Sequence, residues 1–110
     1  MNLKEIYKTY LRVADMANFY QDFTGVNAVI WVSPKYAGHK PRVKITKGDD
    51  SISMSIEDEP EILAPKNPTL DMSIINAAKQ WIVLNKETLI GYWNMEFDTS
   101  VLVSKLRKLW

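Results

Sequence analysis

The stretch that decides the fold is residues 42–56, which read Arg-Val-Lys-Ile-Thr-Lys-Gly-Asp-Asp-Ser-Ile-Ser-Met-Ser-Ile. Apolar and polar residues alternate on both sides of Gly48, and this period of two is typical of β-strands with one buried face. Gly48 and Asp49 suit a two-residue hairpin loop, because such tight turns require positive φ. That loop fixes the register, and the predicted cross-strand pairs are Thr46 with Ser51, Lys44 with Ser53 and Arg42 with Ser55. One face of the hairpin is then apolar, and the other is basic and hydroxylated.

Two further strands flank this hairpin in the sequence. Residues 28–32, Ala-Val-Ile-Trp-Val, form a short run of branched and aromatic residues between turn signals, which predicts a central strand covered on both faces. Ile62-Leu63-Ala64 predicts a short edge strand, since prolines at 65 and 68 prevent regular pairing beyond it. An exposed edge of this kind also allows a homodimer to form by strand pairing.

Helical spacing governs both ends of the chain. From Leu3 to Tyr20 the apolar residues recur at steps of three and four, which predicts an N-terminal amphipathic helix that stops at Thr24-Gly25. After residue 70, Asp71 or Ser73 can cap a helix that breaks at Asn85, and a second short helix follows. Asp98 is the candidate cap of a last helix, whose apolar positions are Leu102, Leu106 and Leu109.

We therefore predict a single α+β domain over residues 1–110. It has an N-terminal amphipathic helix, a small antiparallel sheet of three to four strands, and two to three C-terminal helices packed on one face of the sheet. The predicted core contains Leu3, Ile6, Tyr10, Val29, Trp31, Val43, Ile45, Met54, Ile75, Trp81, Leu89, Trp93 and Leu106.

Composition excludes several classes of protein. The 110 residues carry a net charge of only +1, which excludes a histone-like tail, and the absence of cysteine excludes a disulfide scaffold, a thiol nucleophile and a cysteine zinc site. The first residues lack the apolar core of a signal peptide, and no apolar stretch approaches the roughly 20 residues that span a bilayer. We expect a cytoplasmic protein without a membrane partner.

Charge is segregated along the chain. Residues 35–47 carry five positive charges and no acid, and the next fourteen residues carry six negative charges and no positive one. Cations and hydroxyls on the hairpin face are of the type that contacts phosphate, with Trp31 or Tyr36 near enough to stack on a base. The alternative is an ordinary solvated hairpin face beside an acidic turn that repels phosphate. The candidate binding residues are Lys35, Lys40, Arg42, Lys44, Lys47, Ser53 and Ser55.

Catalytic and metal chemistry have little support in the sequence. His39, near Tyr36, Lys40 and Arg42, could act as the base of a metal-independent ribonuclease, but one titratable ring without a second acid does not define a mechanism. An exposed loop histidine is the alternative. The acids between residues 49 and 61 could hold a divalent cation only if their oxygens converge, and solvation of turns explains them equally well. We predict no catalytic residue, metal or cofactor.

Two segments of the chain are distinctive: residues 38–45, Gly-His-Lys-Pro-Arg-Val-Lys-Ile, and residues 81–93, Trp-Ile-Val-Leu-Asn-Lys-Glu-Thr-Leu-Ile-Gly-Tyr-Trp. Together they resemble a family of small uncharacterised bacterial and phage proteins. In that family a His-x-Pro-Pro-His-x-His strand precedes a helical tail with Trp, Glu-x-Leu-Leu and a final Trp. Only His39 matches one of the three histidines, and Arg42 and Lys44 stand at the other two positions. The resemblance implies a small accessory or regulatory protein of mobile elements, found beside toxin and antitoxin genes.

These observations lead to a functional expectation. We expect a non-enzymatic accessory protein, such as a phage protein, that binds and inhibits a host protein or protein–nucleic-acid complex, for example a defence system. Lys35, Lys40, Arg42 and Lys44 supply the contacts through their charge, and Trp81, Trp93 and Trp110 are candidate anchors. The alternatives are direct nucleic-acid binding through the same face and a His39-dependent ribonuclease toxin.

Overall fold

The structure is a computed structural model that describes residues 16–35 and 38–110. Within these residues the chain is α+β, with one five-stranded antiparallel sheet whose strands lie side by side in chain order. The strands are β1 (Ala17–Phe19), β2 (Val29–Val32), β3 (Arg42–Lys47), β4 (Asp50–Ser55) and β5 (Ile62–Ala64). The helices are α1 (Gln21–Thr24), α2 (Met72–Leu84), α3 (Lys86–Trp93) and α4 (Thr99–Lys105).

The β3–β4 hairpin has the predicted register. Lys44 pairs with Ser53 and Thr46 with Ser51, and Gly48 adopts the positive φ of 59° that the two-residue loop requires. The apolar residues of both strands point to one side, which we call the inner face. Its buried members on the two strands are Val43, Ile45, Ile52 and Met54. They join one core cluster with the buried side chains of α2 and α3, as predicted for helices packed on the sheet.

The burial of the residues in strand β2 differs from the predicted core. Ile30 and Val32 are buried on the inner face, whereas Val29 and Trp31 are only partly buried on the opposite side, which we call the outer face. The prediction that this strand is covered on both faces, with Val29 and Trp31 in the core, was therefore wrong. Antiparallel strands with the core on one side bury every second residue, and a continuous apolar run does not show which half that is.

The segment before β2 contains a strand that was not predicted. Ala17–Phe19 forms β1, which pairs with β2, so the sheet has five strands instead of three to four. The predicted N-terminal helix included these residues, and its earlier part, residues 3–15, lies outside the described residues. Helical spacing was overridden because Phe19 is buried in the core beside Phe23, whose ring it stacks on at a centroid distance of 4.9 Å. The stop at Gly25 is confirmed, but it ends the short helix α1.

The C-terminal helices begin where their caps were predicted. The Asp71 carboxylate accepts a hydrogen bond from the Ser73 N–H, and the Asp98 carboxylate accepts one from the Val101 N–H. The last helix, α4, ends at Lys105, so the predicted continuation through Leu106 and Leu109 was wrong. Leu106 is only partly buried, whereas Leu102 is fully buried.

The side chain of Asn85 explains why the chain leaves the helix after Lys105. Its amide nitrogen donates to the carbonyl oxygens of Trp81 and Arg107, each at 3.0 Å, and its oxygen accepts from the Arg107 N–H at 2.7 Å. The Leu109 N–H then donates to the Thr24 carbonyl at 2.9 Å. In the tail, residues 106–110, Leu106 still donates to the Leu102 carbonyl, and beyond it hydrogen bonds to distant parts of the chain take the place of helical ones.

Asn85→Ala tests this arrangement. The substitution leaves the Arg107 N–H and carbonyl without their partner, so we expect the free energy of unfolding to fall by about 1–3 kcal/mol. Urea unfolding monitored by circular dichroism measures the loss. Asn94→Ala, at an exposed asparagine that ends α3, is the matched control. Equal losses in the two variants would show that Asn85 does not hold the tail.

The end of α3 carries a strained residue. Met95 has a φ of 62°, in the left-handed region, and its side chain is exposed. The Glu96 N–H donates to the Gly91 carbonyl and the Met95 N–H to the Tyr92 carbonyl, which is the hydrogen-bond pattern of a Schellman motif. Glycine is the usual residue at the position of Met95, because a Cβ raises the energy of this conformation.

Met95→Gly should therefore stabilise the protein. The left-handed conformation costs a non-glycine residue about 1–2 kcal/mol, and part of the gain is offset by the greater entropy of glycine in the unfolded chain. We expect an increase of about 1 kcal/mol in the free energy of unfolding, measured in the same urea experiment. Asn94→Gly, at a residue with an ordinary φ of −80°, should give no such gain.

Candidate functional site

A row of side chains crosses the outer face of the sheet. The strand registers set Trp31 opposite Lys44, and Lys44 opposite Ser53. Directly opposed residues of antiparallel strands have Cβ atoms about 4.5–5.5 Å apart, so an indole, an ammonium group and a hydroxyl are neighbours here. The Trp31 indole N–H donates to the Thr46 hydroxyl oxygen at 3.0 Å, which fixes the orientation of the ring. The row therefore combines apolar, cationic and hydroxyl groups on a rigid sheet.

This row lies in a concave site that we call the outer-face cavity. Its volume is about 280 Å³, near the lower end of the range for small-ligand pockets. The described residues that line it are Met16, Trp31, Ser33, His39, Arg42, Val43, Lys44 and Ser53. Arg42 and Lys44 are cations, and no acidic side chain is among these described residues. The electrostatics of the cavity therefore favour an anion.

Arg42 is oriented by its own loop. Its Nε donates to the Lys40 carbonyl at 3.2 Å, which uses one of the five guanidinium N–H donors. Arg42 and Lys44 are two residues apart on β3, so both side chains point to the outer face. The cavity thus presents two cations at the spacing of alternate residues on a strand.

The structure brings only part of the predicted binding set together. Arg42, Lys44 and Ser53 line the cavity, but the other four residues have different surroundings. The Lys40 ammonium pairs with the Glu57 carboxylate at 3.3 Å, and the Lys47 ammonium donates to the Asn27 side-chain oxygen at 2.8 Å. Lys35 is exposed, and its backbone N–H donates to the Trp93 carbonyl at the end of α3.

Ser55 departs most from the prediction. We placed it on the exposed hydroxylated face, but it is fully buried. Its hydroxyl donates to the Glu57 carboxylate and accepts from the Glu61 N–H at 2.9 Å. The turn after β4 folds back over this serine, and alternation within the strand cannot show that. The hydroxyl of Ser55 is therefore used to hold the turn.

Two acids of the turn at residues 57–61 are bonded to cations of the same chain. Glu57 pairs with Lys40, and the Asp58 carboxylate pairs with the Lys86 ammonium at 2.9 Å. The hydrogen bond from Ser55 lowers the pKa of Glu57 below its ordinary value, and Lys40 adds to this effect. The basic and acidic segments therefore meet in an ion pair, which reduces the repulsion that an incoming anion would meet at this end of the hairpin.

Sequence reasoning missed three of the lining residues: Met16 and Ser33, which it did not single out, and Val43, which it assigned to the core. It also did not bring His39 and Trp31 into one site. Residues 33–41 connect β2 to β3, and a loop of this length does not fix the register between the two strands. Without that register, the neighbourhood of Trp31 and Lys44 cannot be derived. The available signal was the period of two along β2. Val29 and Trp31 are two residues apart, so both point away from the side on which Ile30 is buried.

Within residues 16–35 and 38–110, no group of three or more histidine, cysteine, aspartate or glutamate side chains could hold a metal ion. Of the helices in this part of the chain, none has the length and apolar character needed to cross a membrane.

Comparison with known proteins adds no relative. No family model, no curated protein and no solved structure matched the chain at a significant level. The resemblance of residues 38–45 and 81–93 to a family of small bacterial and phage proteins therefore stays a prediction.

The lowered pKa of Glu57 predicts a pH dependence of stability. A carboxylate whose pKa is lower in the folded state stabilises the fold above its unfolded pKa, near 4.5, and loses that contribution as the pH falls through the lower folded value. Glu57→Gln lacks this contribution. We expect the wild type to exceed this variant in unfolding free energy at pH 7, and the difference to shrink below about pH 4.5.

Urea unfolding between pH 7 and pH 3 measures this difference. Glu59→Gln, at an exposed acid of the same turn, is the control. A difference between wild type and Glu57→Gln that stayed constant over the whole range would contradict the role given to the Glu57 carboxylate.

Proposed function

We propose that this protein is a small non-catalytic binding protein that modulates an anionic partner, either a host protein or a protein–nucleic-acid complex. The observation that carries the proposal is the outer-face cavity. Arg42, Lys44 and Trp31 line this concave site together, and its described lining residues include no aspartate or glutamate. Cations at the rim of an aromatic site provide attraction and orientation, and the aromatic group provides contact area.

The contents of the cavity support binding more directly than catalysis. General acid–base hydrolysis needs a base and an acid placed on either side of the reacting bond. The described lining residues instead offer two cations and an indole, which are groups that attract and contact a ligand. The ribonuclease alternative therefore has less support than a binding role.

Charge explains how so small a protein can find its partner. The chain is near neutral as a whole, but Arg42 and Lys44 line one cavity, and two of the neighbouring acids, Glu57 and Asp58, are paired with Lys40 and Lys86. A local positive patch steers a negatively charged partner and sets its orientation. The resemblance to accessory proteins of bacteria and phages supports a regulatory role in which occupation of the partner inhibits it.

Charge reversal tests this proposal. Tagged wild-type protein and Arg42→Glu/Lys44→Glu are used to capture partners from bacterial lysate, with and without nuclease. We expect the double variant to recover at least tenfold less of the partner, because two attractive contacts become repulsive. Lys66→Glu/Lys108→Glu, which changes the net charge equally at two exposed lysines that do not line the cavity, should recover the partner as the wild type does.

The proposal fails if Arg42→Glu/Lys44→Glu keeps full recovery while its circular dichroism and unfolding match the wild type. It also fails if the two double variants lose the partner equally, since the effect would then follow from net charge and not from the outer-face cavity.

A further inference from the structure

We infer that the outer-face cavity holds one unpaired base and its neighbouring phosphates, so that the partner group it recognises is single-stranded nucleic acid. This inference rests on the proposed function and names the chemistry of the partner. Nucleic-acid binding by an open sheet face combines an aromatic platform for bases with cations that follow the backbone, and both components lie in this cavity.

Trp31 supplies the platform. It lines the cavity, and its N–H is already bonded to Thr46 at 3.0 Å, so the ring is held before a ligand arrives. A preorganised ring lowers the entropy lost on binding. Every base has a π face, so a platform of this kind accepts bases with little regard to their identity.

Lys44 and Arg42 supply the phosphate contacts. Lys44 is the direct cross-strand neighbour of Trp31. Arg42 lies two residues before Lys44 on β3 and points to the same face. The guanidinium group suits bidentate contact with phosphate oxygens, and the ammonium group acts as a point charge beside the base. Ser53, opposite Lys44, adds a hydroxyl to the same row. The sugar–phosphate backbone of a nucleotide stacked on Trp31 thus runs along β3.

The shape of the site distinguishes this ligand from a duplex. In a duplex the faces of the bases are stacked on each other, and only their edges are accessible in the grooves. A concave cavity of about 280 Å³ on a sheet can accept a base that has left the stack, but it cannot accept a double helix. An acidic peptide would satisfy Arg42 and Lys44, but it gives no reason for the aromatic side of the cavity.

The experiment measures the binding of fluorescein-labelled dT12 and rU12 by anisotropy at low salt, with a 12-base-pair duplex for comparison. We expect at least one single strand to bind more tightly than the duplex, with an affinity that falls steeply as salt is raised. Trp31→Ala should weaken this binding about 5- to 100-fold, the range expected for losing one stacked base. Tyr20→Ala, at an exposed aromatic residue that does not line the cavity, should bind as the wild type does.

Two further variants keep the test valid if Trp31→Ala does not fold. Trp31→Leu keeps an apolar side chain but has no π face, so it should lose affinity like the alanine variant, whereas Trp31→Phe should stay within a few-fold of the wild type. Intrinsic fluorescence gives a direct readout. Saturation with dT12 or rU12 should quench indole emission in the wild type, and the quenching should disappear in Trp31→Phe while binding persists.

The outcomes separate this inference from the proposed function. If neither single strand binds, or if Trp31→Leu and Trp31→Ala bind as tightly as the wild type, the inference is overturned. If, in that case, the wild type still captures a protein in the presence of nuclease that Arg42→Glu/Lys44→Glu does not capture, the proposed function stands, with an acidic protein as partner. If the charge reversal alters neither oligonucleotide binding nor capture, both are overturned.

Discussion

Alternation along the β3–β4 hairpin is the constraint on which the rest of the molecule depends. The turn at Gly48 fixes which residues of the two strands face each other, and a slip of one residue would exchange the inner and outer faces. With the observed register, the buried side of the hairpin meets α2 and α3. The same register assembles Lys44 and Ser53 on the other side, and β2 adds Trp31 to them. Core and candidate site are therefore two results of one pairing.

The two sides of the sheet have different physical roles. Apolar burial on the inner face stabilises the fold, so the outer face can carry cations and an incompletely buried tryptophan. Binding groups on a sheet are held more precisely than groups on a loop, because the hydrogen-bonded backbone limits their movement. The bond between Trp31 and Thr46 extends this rigidity to the side chain. The outer-face cavity is thus preorganised by the elements that form the core.

Local patterns were sufficient to predict the hairpin, the caps at Asp71 and Asp98, and the break at Asn85, because each depends on residues close in sequence. The remaining features depend on contacts over longer distances. Strand β1 was hidden in a segment with helical spacing, and it forms by pairing with β2. For the site, Arg42, Lys44 and Ser53 follow from alternation. Met16 and Ser33 join it because they flank the paired strands β1 and β2, and Ser55 is buried by the turn that folds back on it. Sequence periodicity does not show such contacts between distant segments.

The bonds that hold the tail link parts of the chain that regular secondary structure leaves separate. Residues 106–110 have no helix or strand, yet Arg107 is bonded to the side chain between α2 and α3, and Leu109 is bonded to the last residue of α1. Complete opening of the tail therefore breaks the bonds of both Asn85 and Thr24, so the tail links these segments. In hydrogen exchange, the amides of Arg107 and Leu109 should be protected like those of a helix, although neither residue belongs to one.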